Sequence, residues 1–150
     1  MALLDAIKKN LIKVPLVSTD KDGIIEELAT LYASEEGLSE DKRKEIISTI
    51  EEREMLGSTA MENGIAIPHA KIEGLDKVSV VIGISRLPVA FGAPDGKGTN
   101  VFFLVLAPPE NPSEHIQILS SIAKACSSQL FMRMLLSSKT KEDVYNLFFE

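Results

Sequence analysis

Two histidines, His69 and His115, are the residues of this sequence whose type and setting could do chemistry. His69 follows residues 64–68, an apolar, strand-like run that ends in proline. Proline fixes its own φ and keeps the preceding residue extended. The sequence therefore predicts that the His69 imidazole leaves a strand end on a stiff backbone, where a reactive group can be presented at a sheet edge. The alternative is a strand-end histidine that hydrogen-bonds to a neighbour.

His115 and Arg53 are both predicted to lie near helix ends. His115 falls in the first turn of a helix that begins at Asn111, where unpaired backbone N–H groups and the positive end of the helix dipole favour an anion. It could equally be a surface histidine at a helix cap. Arg53 closes another predicted helix, in the sequence Glu-Glu-Arg-Glu. It could equally be one charge of a solvated helix face, with Glu54 as an intrahelical or capping partner.

Motifs for several other chemistries are missing from the sequence. A zinc site normally needs three or four ligands, whereas the chain has a single cysteine, Cys126, and no pair of acids at ligand spacing from either histidine. We therefore expect no metal. The nucleophile motif G-x-S-x-G and the phosphate-binding loop G-x-x-x-x-G-K-[ST] are also absent. The glycine-rich residues 92–98 are centred on Asp95-Gly96, which indicates a hairpin turn.

Length, composition and charge limit the class of protein. A chain of 150 residues suits one domain, which we expect to span residues 1–150. The net charge of −6 argues against a duplex nucleic acid as partner, because phosphate backbones bind basic faces. A lone cysteine excludes an internal disulfide and fits a reducing compartment. The first residues lack a signal-peptide pattern, and no run approaches the ~18 apolar residues of a membrane span, so we expect a cytoplasmic protein without membrane insertion.

Apolar periodicity in the first third of the chain predicts one strand and two helices. Residues 11–17 form a short apolar run interrupted by Pro15, which indicates a strand near a sheet edge because proline cannot donate to the ladder. Residues 18–20, Ser-Thr-Asp, offer caps for a helix that runs to about residue 34. Residues 39–54 are predicted to form a second helix, with isoleucines inward and charges outward.

The rest of the chain predicts strands followed by helices. Residues 78–84 and 101–107 are β-branched or apolar runs typical of buried strands. Asn111, followed by proline and by a glutamate three residues on, resembles a capping box that starts a helix. Further helices are predicted over residues 130–136 and 141–149. Continuous apolar strands imply a sheet covered on both faces, so we expect an α/β fold in layers.

The segment that carries both Arg53 and His69 resembles a known family. Residues 53–70 (REMLGSTAMENGIAIPHA) are similar to the enzyme IIA domain of the fructose/mannitol class (type 2) of the bacterial phosphotransferase system, a class that includes the free-standing nitrogen-regulatory enzyme IIA. Residues 91–97 (FGAPDGK) resemble the family's "f.A.DG" turn. Residues 101–108 and the following Glu-His-Ile at 114–116 resemble its strand and "eHl..L" helix, although isoleucine stands where leucine is more frequent. The resemblance covers essentially the whole chain.

This resemblance implies a fold, a site and partners. The family fold is a mixed β-sheet sandwiched between helical layers. His69 matches the phosphorylated histidine, His115 the second histidine of the active centre, and Arg53 its arginine. Family members accept the phosphoryl group from the phosphohistidine of the carrier protein HPr, and transport-type members pass it to a cysteine of an enzyme IIB. Cys126 matches no such acceptor, so we interpret it as a core or surface thiol. The resemblance implies no cofactor and no metal.

Physical chemistry agrees with these roles. Phosphoryl transfer requires positioning and charge stabilisation around three equatorial oxygens. Arg53 can supply two donors in a fork, and the helix start at residues 113–115 can supply backbone N–H groups. His115 can hydrogen-bond a phosphoryl oxygen or hold His69 in one tautomer. We therefore expect Arg53, His69 and His115 to converge on one anion site.

Three functions remain open from the sequence. The first is a free-standing enzyme IIA of nitrogen-regulatory type, whose phosphorylation state controls a regulated target protein. The second is a sugar-specific transport enzyme IIA of the fructose/mannitol class, which passes the phosphoryl group to a IIB cysteine. The third is a binding module with an inert His69, although such a module has no need of all three site residues.

Overall fold

The fold is built on a β-sheet that carries helices on both faces. The structure, a computed structural model, describes residues 2–149. No helix among these residues is long and apolar enough to cross a membrane. In chain order the elements are α1 (Ala2–Ala6), β1 (Ile7–Lys13), α2 (Lys21–Glu35), α3 (Glu40–Met55), a 3-10 turn (Glu62–Gly64), β2 (Ile65–Ala66), β3 (His69–Lys71), β4 (Ser79–Val89), β5 (Thr99–Ala107), α4 (Pro112–Cys126), α5 (Gln129–Ser137) and α6 (Lys141–Phe149).

The long strands β4 and β5 form the centre of the sheet, which has the order β1-β4-β5-β2. They pair antiparallel, with Val81 opposite Leu104, and the predicted turn at Asp95-Gly96 lies between them. β1 runs parallel to β4 at one edge. At the other edge β2 and β3 follow each other, and both run parallel to β5. The sheet is therefore mixed, and the segment that carries His69 forms its second edge.

Both faces of the sheet are buried because its central strands are apolar on both sides. Successive strand residues point to opposite faces. Phe103 of β5 belongs to one core cluster, which also contains Ile118 of α4 and residues of α1, α5 and α6. Its neighbour Phe102 belongs to the other cluster, which contains Ile50 of α3 and residues of α2. This arrangement confirms the predicted α/β fold, a mixed sheet sandwiched between helical layers.

The helices lie close to their predicted positions, and two caps are those expected. The side chain of Asp20 accepts a hydrogen bond from a backbone N–H in the first turn of α2, and Ser39 does the same for α3. Asn111 is the N-cap of α4, but its side-chain amide lies 3.3 Å from the Glu114 carboxylate and does not cap a backbone N–H. The predicted capping box is therefore not formed in full.

The beginning of the chain differs most from its prediction. β1 starts at Ile7 and ends before Pro15, whereas the sequence predicted a strand over residues 11–17. Its position at the sheet edge is confirmed. The pairing of β1 with β4 shifts register between Ile7 and Ile12, and the residues in this irregularity are mostly polar, so the expected alternation is interrupted. The helix α1 was not predicted, because five residues are too few to show a helical period.

Candidate active site

His69 lies at the point where the edge of the sheet is interrupted and resumes. β2 ends at Ala66, and β3 begins at His69, which pairs with Val105 of β5. Pro68 between them has no N–H, but its carbonyl accepts a hydrogen bond from the Val105 N–H at 2.9 Å. The chain is thus kept against β5 through the break. The predicted location at the sheet edge is confirmed, although His69 is the first residue of β3 and two residues separate it from the end of β2.

The backbone determines which ring nitrogen of His69 carries the proton. Nδ1 of His69 lies 2.9 Å from the carbonyl oxygen of Ile67. A carbonyl oxygen can only accept a hydrogen bond, so Nδ1 must be protonated, and the lone pair of the neutral ring lies on Nε2. The side chain is half-buried. The alternative considered from sequence, a histidine that hydrogen-bonds to a neighbour, is therefore correct for Nδ1. This hydrogen bond leaves the lone pair of Nε2 available.

His115 contacts His69 from the first turn of α4. The two ring centroids are 5.6 Å apart, with the ring planes at 75°. His115 is only 5% exposed, so the alternative of a surface histidine at a cap is wrong. Its Nε2 is buried and has no hydrogen-bond partner among the residues that the structure describes. Buried polar atoms are usually paired, so this atom is suited to a ligand that enters beside His69.

Burial lowers the pKa of His115 below its ordinary value, and the proximity of His69 and Lys71 lowers it further. A neutral His115 carries one N–H and one lone pair, so it acts as a hydrogen-bonding group and not as a charge. Its backbone N–H donates to the Asn111 carbonyl at 3.3 Å. This N–H is therefore already used within the helix, and of the backbone amides around residues 113–115 that were expected to bind an anion, the amide of His115 is not available.

Arg53 reaches the same site from the last turn of α3. Its Nη1 donates to the carbonyl oxygen of Gly57 at 3.0 Å. None of the described carboxylates lies within ion-pairing distance of its guanidinium. The alternative of a pairing with Glu54 is not found, because Glu54 binds Lys21 at 2.9 Å and Thr59. Arg53 is thus held beside the site with most of its donors unused.

A buried carboxylate anchors the loop between α3 and β2. Glu54 is 7% exposed. Its Oε1 accepts a hydrogen bond from the backbone N–H of Thr59 at 3.2 Å, and its Oε2 accepts one from the Thr59 hydroxyl. The Lys21 ammonium that pairs with it also lies 4.7 Å from the ring centroid of Phe91, whose carbonyl accepts from the Ser58 hydroxyl. This network explains why an Arg-Glu pair is followed by Gly-Ser-Thr: the glutamate and the two hydroxyls fix the loop.

One cleft of about 440 Å³ brings the three predicted site residues together. Sequence reasoning missed two polar residues of its lining, Thr49 and Lys71. Thr49 is one helical turn before Arg53, and Lys71 is two strand residues after His69, so helical and strand periods could have found both. The lining consists of Thr49, Arg53, His69, Ala70, Lys71, His115, Ile116 and Leu119.

Cys126 lies far from this cleft. It ends α4, eleven residues after His115, which corresponds to about 16 Å along a helix. It is buried, and burial raises the pKa of its thiol to about 12. Cys126 is thus a core thiol, the first of the two predicted alternatives. Within residues 2–149, no group of three or more His, Cys, Asp or Glu side chains is arranged to hold a metal ion.

The fold is that of a small α/β protein with a mixed sheet between helical layers. Its candidate site is a cleft at the sheet edge that contains two histidines and an arginine. The chain belongs to the family described as phosphoenolpyruvate-dependent sugar phosphotransferase system, EIIA 2, whose model matches residues 5–150. The resemblance carried by residues 53–70 is thereby confirmed.

The relatives include regulatory and sugar-specific proteins. A nitrogen regulatory protein of Pseudomonas aeruginosa is 34% identical over 140 residues, which cover 93% of this chain and 88% of the relative. The fructose-specific EIIA component of the phosphotransferase system of Haloferax volcanii is 32% identical over 130 residues, with coverages of 87% and 83%. The crystal structure of nitrogen regulatory protein IIA-Ntr from Neisseria meningitidis matches with a TM-score of 0.89 at 28% identity, over 98% of this chain and 99% of that one.

The tautomer of His69 can be tested directly. Because the Ile67 carbonyl accepts from Nδ1, a long-range ¹H–¹⁵N correlation spectrum above neutral pH should show the Nδ1–H form, with the unprotonated nitrogen at Nε2. His115, whose Nε2 has no partner, serves as the internal comparison. A spectrum in which His69 is protonated on Nε2 would contradict the assignment of the proton to Nδ1.

The depressed pKa of His115 predicts how stability depends on pH. In the unfolded chain an imidazole titrates near about 6.5, whereas folded His115 takes up a proton only at lower pH. The unfolded state therefore binds more protons between these values, and the free energy of unfolding should fall as pH decreases below about 6.5. In urea titrations across this pH range, the free energy of unfolding should fall less for His115→Gln than for the wild type. An NMR titration that places the pKa of His115 at or above 6.5 would sink this prediction.

Proposed function

We propose that this protein is a phosphoryl carrier of the phosphotransferase system, which accepts a phosphoryl group on Nε2 of His69 from the phosphohistidine of an HPr-type carrier protein. The observation that carries the proposal is the free Nε2 of His69 in a cleft shared with Arg53 and with the unpaired Nε2 of His115. Membership of the family supports the class of reaction. The cytoplasm, where HPr-type carriers work, is the proposed location.

The proposed step is a phosphoryl exchange between two imidazoles. The lone pair on Nε2 of His69 forms a bond to phosphorus while the bond from phosphorus to the donor nitrogen breaks, and the electron pair of that bond stays on the donor imidazole. His69 keeps its proton on Nδ1, so its ring gains positive charge as the bond forms. The Ile67 carbonyl at 2.9 Å stabilises this charge. The same protonated ring is a good leaving group, which suits a carrier that must release its cargo.

The surrounding residues have complementary roles in this proposal. During transfer the phosphorus lies in line between the two nitrogens, and negative charge is spread over its three equatorial oxygens. Arg53 binds these oxygens with the donors that Gly57 does not use. Neutral His115 donates one hydrogen bond to an oxygen without adding a charge. Since the Ile67 carbonyl already fixes the tautomer of His69, we assign His115 to the phosphoryl group and not to the tautomer.

The nitrogen-regulatory type is the first candidate for the biological role. A nitrogen regulatory protein shares 34% identity with this chain over most of both lengths, and IIA-Ntr of Neisseria meningitidis has the same fold with a TM-score of 0.89. In this role the phosphorylation state of His69 controls a regulated target protein. The second candidate is sugar transport, favoured by 32% identity with a fructose-specific EIIA component. Transfer from phosphorylated His69 to the cysteine of a fructose-class enzyme IIB would favour the second candidate.

Phosphorylation of His69 is the central prediction. Incubation with phosphoenolpyruvate, enzyme I and HPr should add one acid-labile phosphoryl group, and two-dimensional ³¹P–¹H spectra should locate it on Nε2 of His69. His69→Ala should accept none, whereas His115→Ala should accept it slowly. Phosphorylation of folded His69→Ala would refute the assignment, and a wild-type protein that accepts no phosphoryl group would favour an inert binding module.

Arg53→Ala should slow phosphoryl transfer on the order of a hundredfold or more, since loss of one transition-state donor elsewhere removes about 2.7–4 kcal/mol. Folding should survive, because the side chain is half-buried and bonds only to the Gly57 carbonyl among the described residues. Arg53→Lys keeps the charge without the fork and should be intermediate. Rapid-quench transfer rates beside thermal melts measure both effects. If a fully folded Arg53→Ala transferred the phosphoryl group at the wild-type rate, the prediction would be wrong, and another group would have to offset the phosphoryl charge.

A further inference from the structure

A second cation lies on the same strand as His69. Lys71 is the last residue of β3, and strand residues two apart point to the same face, about 6.6 Å apart. Ala70 between them points to the opposite face and is buried in the core on the side of α2 and α3. The side chain of Lys71 therefore emerges beside the imidazole of His69, and it lines the same cleft as Arg53 and His115.

Lys71 is not neutralised by an acid of its own. The protein carries 22 acidic residues and a net charge of −6. Other lysines use these acids: Lys13 pairs with Glu27, and Lys21 with Glu54. Lys71 is exposed, and no described carboxylate lies within ion-pairing distance of it. The cleft thus holds two positive side chains, Lys71 and Arg53, and no acidic residue in its lining.

The charges of a phosphorylated His69 match this arrangement. A phosphoryl group adds about −1.5 to −2 charges near neutral pH. Arg53 offsets about half of this charge, and burial together with the nearby Lys71 favours the neutral form of His115 by lowering its pKa. Lys71 is the remaining cation of the lining, so its ammonium adds to the compensation that Arg53 and the protonated ring of His69 provide.

We propose that Lys71 is a phosphoryl-binding residue of this site, whose ammonium contacts the phosphoryl oxygens and, with Arg53, offsets the charge of phosphorylated His69. This inference rests on the proposed function. The two cations divide the work: the guanidinium of Arg53 supplies a fixed, directional fork, whereas the ammonium of Lys71 is a point charge on a flexible stem. That stem can follow the phosphoryl group along the line from donor to His69 and from His69 to acceptor.

The test compares Lys71→Gln with Lys71→Arg and with a matched control, Lys97→Gln. Lys97 is exposed in the turn between β4 and β5, about 20 Å along the sheet from His69, so its replacement changes the net charge equally without touching the cleft. Potassium phosphoramidate is used as a small donor beside phosphorylated HPr, because a small donor removes any effect of Lys71 on protein docking. Thermal melts verify folding.

Loss of one charge-assisted contact should slow phosphorylation of Lys71→Gln about tenfold or more with both donors. The rate should depend less steeply on salt, while Lys71→Arg and Lys97→Gln stay near the wild type. Equal rates for Lys71→Gln and Lys97→Gln would overturn the inference while leaving the proposed function intact. A defect seen only with HPr would also overturn it, since Lys71 would then act in docking. If the wild type accepts no phosphoryl group from either donor, the proposed function itself fails.

Discussion

The hydrogen bond between Nδ1 of His69 and the carbonyl of Ile67 is the constraint on which the site depends. It spans Pro68, where the pairing of β2 and β3 with β5 is interrupted while the proline carbonyl remains bonded to β5. The bond sets the tautomer, the tautomer frees Nε2, and the free nitrogen faces a cleft that a second histidine and two cations share. A backbone carbonyl cannot change its protonation state. The tautomer of the neutral ring is therefore set by a group that does not titrate.

The cations of the cleft stay unpaired because a nearby acid is engaged elsewhere. Glu54 is adjacent to Arg53 in sequence, yet its carboxylate points into the protein, where Lys21 and the N–H and hydroxyl of Thr59 bind it. If this carboxylate turned outward, it would neutralise Arg53 and repel an anion. The same network holds the loop between α3 and β2, so one buried acid both shapes the backbone around the site and keeps negative charge away from it.

Much of this arrangement could be predicted from sequence, and the parts that could not have physical reasons. Caps and apolar periods located α2, α3 and the central strands, and the segment around His69 identified the family. Spacing alone left His115 open between an anion site and an exposed cap, because its burial depends on how α4 packs over the sheet edge. β1 was placed too late because its polar irregularity breaks the alternation. Lys71 was missed although the strand period places it beside His69.

The edge of the sheet at His69 also determines whether a strand of another molecule can add to the sheet. An open edge strand offers a row of unpaired N–H and C=O groups onto which a foreign strand can add. Here the edge consists of a strand of two residues, whose outer side is bonded to residues 59–61, and a strand of three. Ile67 and a proline that has no N–H separate the two strands. Such an edge is too short and too broken to seed a continuous ladder. The half-buried side chain of His69 can therefore lie at the sheet edge without a neighbouring surface that promotes aggregation.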